Sequence, residues 1–328
     1  MESITKYRQT PETLRRLIER AYGPGAVPDG DDFAVELGEG WFNVGYIVRL
    51  RDGRESVLKI APPPGVEVMT YEHNAMRSEI DAIRLISTHT DVPVPPVDLY
   101  DDSHQIIDAD WFAMPRIPGE NLHALEGVLG EEAVLEGWRQ IGAATRRLNQ
   151  IPGPGFGRYG AELYPTWRAA FEAICEDVLA DGERRSVDIG HDYAAIRTLI
   201  ASNIACLDAV TDPVFCEWDL WQANAMVHDG RLVAVVDHER AFWGDPLMEA
   251  GFLEAAQPGH APGVAFLEGY GRGPLTDAEM ARRRLYTLHL FLIMTIETAY
   301  RGHTTPDQYQ FVRGQLDQAV SALGRGHA

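Results

Sequence analysis

Lysine is almost missing from this chain of 328 residues: of 29 basic residues only Lys6 and Lys59 are lysine, and the rest are arginine. Position 59 therefore keeps a residue type that the chain avoids elsewhere. It lies in "VLKIAP", an apolar run in which an ammonium without a partner is costly to bury. Lys59 either meets an anion there or extends to water from an edge strand. Cysteine is scarce too, and Cys175, Cys206 and Cys216 show no metal-ligand or redox spacing, so free thiols in a reducing compartment are expected. A Walker A lysine motif and a nucleophile-elbow serine are both absent, which excludes P-loop and α/β-hydrolase chemistry. The dinucleotide-like spacing of "GFGRYG" at 155–160 follows "IPGP" rather than a strand and opens no helix, so it reads as a loop. No basic-then-apolar leader is visible at the start. The most apolar helical run, "LYTLHLFLIMTIETAY", contains His289 and Glu297 and falls short of the ~20 residues a membrane span needs. A cytoplasmic chain without a membrane partner is the expectation, as monomer or homodimer. A formal charge of -20 excludes nucleic acid as a partner and favours cations.

What is present has two characters along the chain. Thr10-Pro11-Glu12 is a helix start and Gly23 a stop, predicting a helix over Pro11 to Tyr22. "DDFAVELGEG", "WFNVGYIVRL" and "RESVLKIAP" read as three antiparallel strands, and a helix from about Tyr71 to Ser87 follows. "QIIDADWFAMPRIPGENL" is expected to hold one more strand pair before Ile117-Pro118-Gly119, the predicted boundary. Beyond it come long helices over Glu131 to Gln150, Trp167 to Leu179, Tyr193 to Val210, Asp277 to Tyr300 and Pro306 to Leu323. Thr276 to Glu279 is a capping-box pattern. The predicted architecture is α+β and two-lobed: 1–117 as a mostly β lobe with a hinge at about 113–119, and 118–328 as a larger helical lobe. Its only strands are expected in one hairpin, and small ligands are expected between the lobes.

That hairpin is "AMVHDGRLVAVVDHE", folded at Asp229-Gly230, the pair that best favours a tight two-residue turn. If His228 pairs with Arg231, Asn224 lies opposite Val235 and Asp237 emerges just beyond. A carboxylate and an amide oxygen then sit roughly 5 to 8 Å apart, a spacing that suits one hard divalent cation. "EWDLWQAN" leads into it, with Asp219 five positions before Asn224. Such a set fits phosphoryl transfer, with Asp219 taking a hydroxyl proton and Asn224 and Asp237 holding Mg²⁺. Loop-forming Asp and Asn are the bland alternative.

Lys59 needs an anion, and the following helix offers Glu72 and Glu79. A Lys–Glu pair on phosphate oxygens is how protein-kinase-like folds hold a nucleotide. Glu79 is preferred, because Glu72 sits in the helix's first turn. Gly38 and Gly40 put bare amides where a phosphate would lie, although glycine in a hairpin also serves turn geometry alone. In "WFAMPRIPG", Pro115 supplies only a carbonyl and Ile117 supplies an N–H, the two groups an adenine needs.

"D-L-W-Q-A-N" followed by "V-V-D-H-E-R-A-F-W-G-D-P" resembles the phosphate-transfer core of the aminoglycoside phosphotransferase and choline kinase superfamily. "VLKIAPPPG", Glu79, "VPVPP" and "FAMPRIPG" extend the likeness from about 33 to 255. It implies a protein-kinase-like fold using ATP, with GTP as the alternative, and Mg²⁺ to phosphorylate a hydroxyl of a small molecule. It implies Asp219 as base, Asn224 and Asp237 as metal ligands, Lys59 and Glu79 as phosphate anchors, and 113–117 as adenine hinge. Antibiotic resistance is one use such an activity would have. Glu217 departs from the pattern, since the family usually has histidine there, with glycine common at Trp218. A third acid would raise the pKa of Asp219 and Asp237 unless a metal or an arginine offsets it. Glu239, Glu249 and Glu254 suit pairing with the amines of a cationic acceptor, while Asp245 in "GDP" suits a structural role equally. The alternatives are a choline, amino-alcohol or sugar kinase of the same fold, or a weakly active nucleotide-binding regulator.

Overall fold

The computed structural model describes residues 3–38, 40–303 and 306–325. The chain forms two compact units, one of Met1–Val68, Pro95–Ile117 and Tyr300–Thr304, the other of Met69–Val94, Pro118–Ala299 and Thr305–Ala328. The chain passes between them at Ile117 and Pro118, but 69–94, within the first lobe as read from sequence, groups with the second unit.

The first unit opens with helix α1 (Pro11–Tyr22), capped by Thr10, whose side chain accepts from the Thr13 N–H, and ended by Gly23 at φ 96°. Strands β1 (Ala34–Glu36), β2 (Val44–Arg49), β3 (Glu55–Ile60), β4 (Leu99–Asp101) and β5 (Trp111–Pro115) form an antiparallel sheet in the order β1-β2-β3-β5-β4. Alternation decides its faces: Val44, Tyr46 and Val48 of β2, and Leu58 and Ile60 of β3, turn into a core with Leu14, Leu17, Ile18 and Trp111. Lys59 therefore points to the opposite face, half-buried, with Gly45 and Phe112 as its cross-strand partners. Gly38 and Gly40 lie between β1 and β2, Gly40 with φ 94°. Pro115 closes β5, and the half-buried Ile117 follows it. The strand pair expected inside 105–122 forms differently. β5 does form, but it pairs with β3 and with β4, which lies in the preceding proline-rich stretch and is three residues long, too short to show alternation.

The second unit contains helix α2 (Ala75–His89), strand β6 (Glu120–Asn121), helices α3 (Leu122–Leu125) and α4 (Glu131–Leu148), strand β7 (Gly157–Arg158), and helices α5 (Trp167–Arg184) and α6 (Tyr193–Asn203). Strands β8 (Val214–Cys216), β9 (Ala225–His228), β10 (Arg231–Val235) and β11 (Phe242–Gly244) precede helices α7 (Ala250–Ala255), α8 (Ala261–Tyr270), α9 (Asp277–Arg301) and α10 (Pro306–Gly324). The expectation of one hairpin as its only strands is corrected: two three-stranded sheets form, β10-β9-β6 and β7-β11-β8. The extra strands are two or three residues long and carry no readable period. The capping box before α9 forms, with the Thr276 N–H donating to Glu279 Oε2 at 2.8 Å. Helices α4 and α8 approach through glycine, since a Cβ on Gly142 would meet the Phe266 carbonyl and one on Gly269 the Arg139 carbonyl.

Candidate active site

After β8 the chain enters a short loop that folds on its own backbone. The Asp219 N–H donates to the Glu217 carbonyl at 2.8 Å, and the Asn224 N–H to the Trp221 carbonyl at 3.0 Å. Asn224 Nδ2 donates to the Asp219 carbonyl at 2.8 Å, which directs the amide oxygen Oδ1 away from that carbonyl. Trp218 takes φ 63°, a conformation costing a bulky residue about 1–3 kcal/mol unless its surroundings fix it. Those surroundings are dense. The Trp218 N–H donates to Glu249 Oε2 at 2.8 Å, its ring lies 5.4 Å from that of His289, and the Arg240 guanidinium sits 5.6 Å from its centroid.

Strands β9 and β10 turn at Asp229 (φ 48°) and Gly230 (φ 74°), the two left-handed residues of a tight hairpin. His228 pairs with Arg231 as expected, but the register shifts between Leu232 and Ala234, so Val235 faces Ala225. Asn224 thus meets Val236 instead of Val235, and the Val236 N–H donates to its carbonyl at 3.0 Å. The β-bulge at Val233 inserts one residue, which a regular pairing from the turn does not anticipate. Beyond it Asp237 takes φ 72°. Ligand oxygens of Glu79, Asp237 and Glu239 lie within 4.8 Å of one another. Glu239, read from sequence as a substrate residue, thus joins Asp237, while Glu72 accepts from the Met69 N–H at 2.9 Å.

Electrostatics tie the two loops together. Burial pushes the Asp219 carboxyl up to about 7, Arg240 opposes this, and Asp237, Glu217 and Glu297 add to it. Arg240 is held at 3.4 Å from Glu297 and lies 5.3 Å from the Tyr71 ring centroid. Glu217, fully buried, meets His238 Nδ1 at 2.9 Å, and His238 Nε2 lies 3.0 Å from the Val235 carbonyl. Both ring nitrogens thus lie close to oxygen atoms, and burial pushes the Glu217 pKa up. Burial alone would push the His238 pKa down, but the Glu217 carboxylate outweighs it and the net direction is up. The acid at position 217 is thus met by a histidine from the loop after β10.

The other acids have internal partners. Glu249 is 1% exposed and accepts from Asn149 Nδ2 and from the backbone N–H groups of Glu217 and Trp218. Burial nevertheless pushes its pKa up to about 8. Instead of facing an acceptor it braces the Asp219 loop, because the loop's turning backbone leaves N–H groups that only a buried side chain can satisfy. Glu254 pairs with His260 at 3.0 Å. Asp245 accepts from Leu247 N–H, Arg282 and Tyr286 and is structural. Sequence reasoning missed Arg240 and His238, whose only signal was an arginine and a histidine inside the quoted "VVDHERAF".

The chain matches the APH model, the phosphotransferase enzyme family, over residues 34–286, and belongs to that family. It is similar to a thermostable mutant of aminoglycoside phosphotransferase APH(4)-Ia in a ternary complex with AMP-PNP and hygromycin B, at 20% identity over 94% of this chain and 98% of that one, with a TM-score of 0.64. It is also similar to macrolide 2'-phosphotransferase MphH from Brachybacterium faecium, at 19% identity over 93% of this chain and 98% of that one, with a TM-score of 0.61. At such identities the likeness shows the fold, an α+β kinase-like one with an N-terminal five-stranded antiparallel sheet and a helical C-terminal part. A subtelomeric hrmA-associated cluster protein of Aspergillus fumigatus is 28% identical over 124 residues, which are 38% of this chain and only 24% of that protein.

Proposed function

We propose that this phosphotransferase carries the γ-phosphoryl group of ATP, or alternatively GTP, to a hydroxyl of a small molecule. The observation that carries the reading is Asp219: half-buried in a loop closed on its own backbone, its pKa pushed up to about 7, with the charge of Arg240 acting against that rise. A carboxylate poised there is suited to general-base work. In the proposed step the acceptor oxygen bonds to the γ-phosphorus while its proton passes to Asp219. The bond from that phosphorus to the β,γ-bridging oxygen breaks, and the nucleoside diphosphate leaves with the electron pair. Lys59 is proposed to contact the nucleotide's phosphate oxygens, with Gly38 and Gly40 covering them and Pro115 and Ile117 meeting the base.

Donor chemistry at the metal loop supports a hard divalent cation, since Asp237, Glu79 and Glu239 offer only oxygens within 4.8 Å of one another. Asn224 and Asp237 would hold Mg²⁺, whose charge, when bound, would offset that of the phosphates. The reading of a weakly active regulator rested on Glu217, and the Glu217–His238 contact weakens that argument because the added acid has a buried partner of its own at 2.9 Å. The test is a magnesium-dependent nucleotide-consumption screen over aminoglycosides, macrolides, choline, amino alcohols and sugars, with Asp219→Ala as control. Nucleotide binding without acceptor-dependent turnover on any compound would favour the regulator. Wild-type turnover by the variant would remove Asp219 from its role.

A further inference from the structure

Within the second unit lies a cavity of about 280 Å³ whose lining includes Trp218, Arg240, Glu239, Arg158, Tyr159 and His289. It adjoins the proposed chemistry, because Trp218 directly precedes Asp219 and the charge of Arg240 acts on Asp219. Its size is at the low end for ligand pockets, enough for one ring-sized group.

The polar groups in this lining are unusual. His289 is 2% exposed, and neither of its ring nitrogens has a hydrogen-bond partner among the described residues. Its ring stands between Phe171, at 5.5 Å, and Trp218, at 5.4 Å, so packing fixes where those nitrogens lie. Arg158 binds Asp177 through Nη2, while its Nη1 is buried with no partner. Leaving such groups unsatisfied is costly, and native proteins rarely tolerate it without a ligand or water in place.

The sign of the field matters as much as the unpaired groups. Burial, followed by the charges of Arg158, Arg283 and Arg240, pushes the His289 pKa down to about 3. A neutral imidazole offers one N–H and one lone pair beside Arg158 and Arg240, the cations of the lining, which pair with Asp177 and Glu297. Arg283 donates to the carbonyls of Leu247 and Met248. An oxygen acceptor entering here meets the donor Arg158 Nη1 and the His289 ring, whereas for an ammonium the acids Asp177 and Glu297 are already held by Arg158 and Arg240. The acids expected to hold amines serve elsewhere: Glu249 in the Asp219 loop, Glu254 on His260, and Glu239 beside Asp237 and Glu79.

We propose that this cavity receives the acceptor, and that it selects a hydroxylated ring bearing a carboxylate, held by Arg158 and His289, over a polyamine. The proposal deepens the kinase reading and rests on it. Calorimetry on the full chain tests it with three probes that share a ring and a benzylic hydroxyl: para-(hydroxymethyl)benzoate, para-(hydroxymethyl)benzamide and para-(aminomethyl)benzyl alcohol. The benzoate is expected to bind at least about tenfold more tightly than the amine. Arg158→Gln should erase that preference and Arg158→Lys should retain part of it. Should Arg158→Gln fail to fold with Asp177 left alone, His289→Phe replaces it and is expected to weaken benzoate binding. A tie among the probes, tighter binding of the amine, or binding of none overturns the proposal. Titration of Mg²⁺ with AMP-PNP, without probe, is run separately: failure there sinks the kinase reading, whatever the probes do.

Discussion

In the proposed reaction the chemistry rests on the Asp219 carboxyl, whose pKa in the folded chain, about 7, lies well above the usual carboxylate range. The folded state therefore holds this proton more tightly than the unfolded chain. Its contribution to stability is full below about pH 4 and is lost as pH rises through 7. Asp219→Asn should thus melt at a higher temperature than wild type at pH 8 and show a flatter dependence of melting temperature on pH between 4 and 8. The same variant should lose about 10²- to 10⁴-fold in turnover, as expected for removal of a general base. Wild-type turnover should rise with pH up to about 7 as Asp219 ionises. A variant both less stable at pH 8 and fully active would contradict both readings. Glu249 tests a different role. Glu249→Ala leaves the buried N–H groups of Glu217 and Trp218 without an acceptor and should destabilise by about 1–3 kcal/mol per lost partner, measured by denaturant unfolding.

Between elements, the most informative link joins the loop after β8 to the loop after β10 through Glu217 and His238. Removing either partner leaves the buried polar atoms of the other without their counterpart, so Glu217→Ala and His238→Ala should each cost about 1–3 kcal/mol. Because the two act as a unit, the double variant should cost much less than the sum, and a double-mutant cycle on unfolding free energies measures that coupling. Strict additivity would mean the contact has no energetic content. The α4–α8 pair gives a second prediction. Gly142→Ala and Gly269→Ala drive a methyl into facing backbone and should each destabilise by about 1–3 kcal/mol, although alanine favours isolated helices. Sequence showed those helices but not which glycines set their spacing, since a helical glycine alone does not reveal its neighbour.

For the whole molecule, charge is the dominant property. A formal charge of -20 and an acidic group of Glu79, Asp237 and Glu239 both favour divalent cations. Magnesium alone should raise the melting temperature by several degrees, since saturation at about a hundredfold over Kd adds about 2.7 kcal/mol. Chelation should reverse the gain, and Asp237→Ala should abolish it. Among the described residues no helix is long and apolar enough to cross a membrane. α9, the best candidate by hydropathy, buries Arg283, His289 and Glu297 inside the protein.

Much of this molecule was determined by local sequence. α1 runs over Pro11–Tyr22 because its cap, first-turn proline and terminal glycine all lie within a few residues, and the Asp229-Gly230 turn needs only two left-handed positions. The order of Asp219, Asn224 and Asp237 was legible for the same reason, as was the strand carrying Lys59. Tertiary structure decided what depends on groups distant in the chain. The conversion of Glu249 from a substrate acid into a loop brace, the pairing of Glu217 with His238, and the gathering of Arg158 with Arg283 and His289 all need partners tens of residues apart. Propensity and period act over a few neighbours, whereas burial and unpaired hydrogen bonds are settled only when the whole unit has packed.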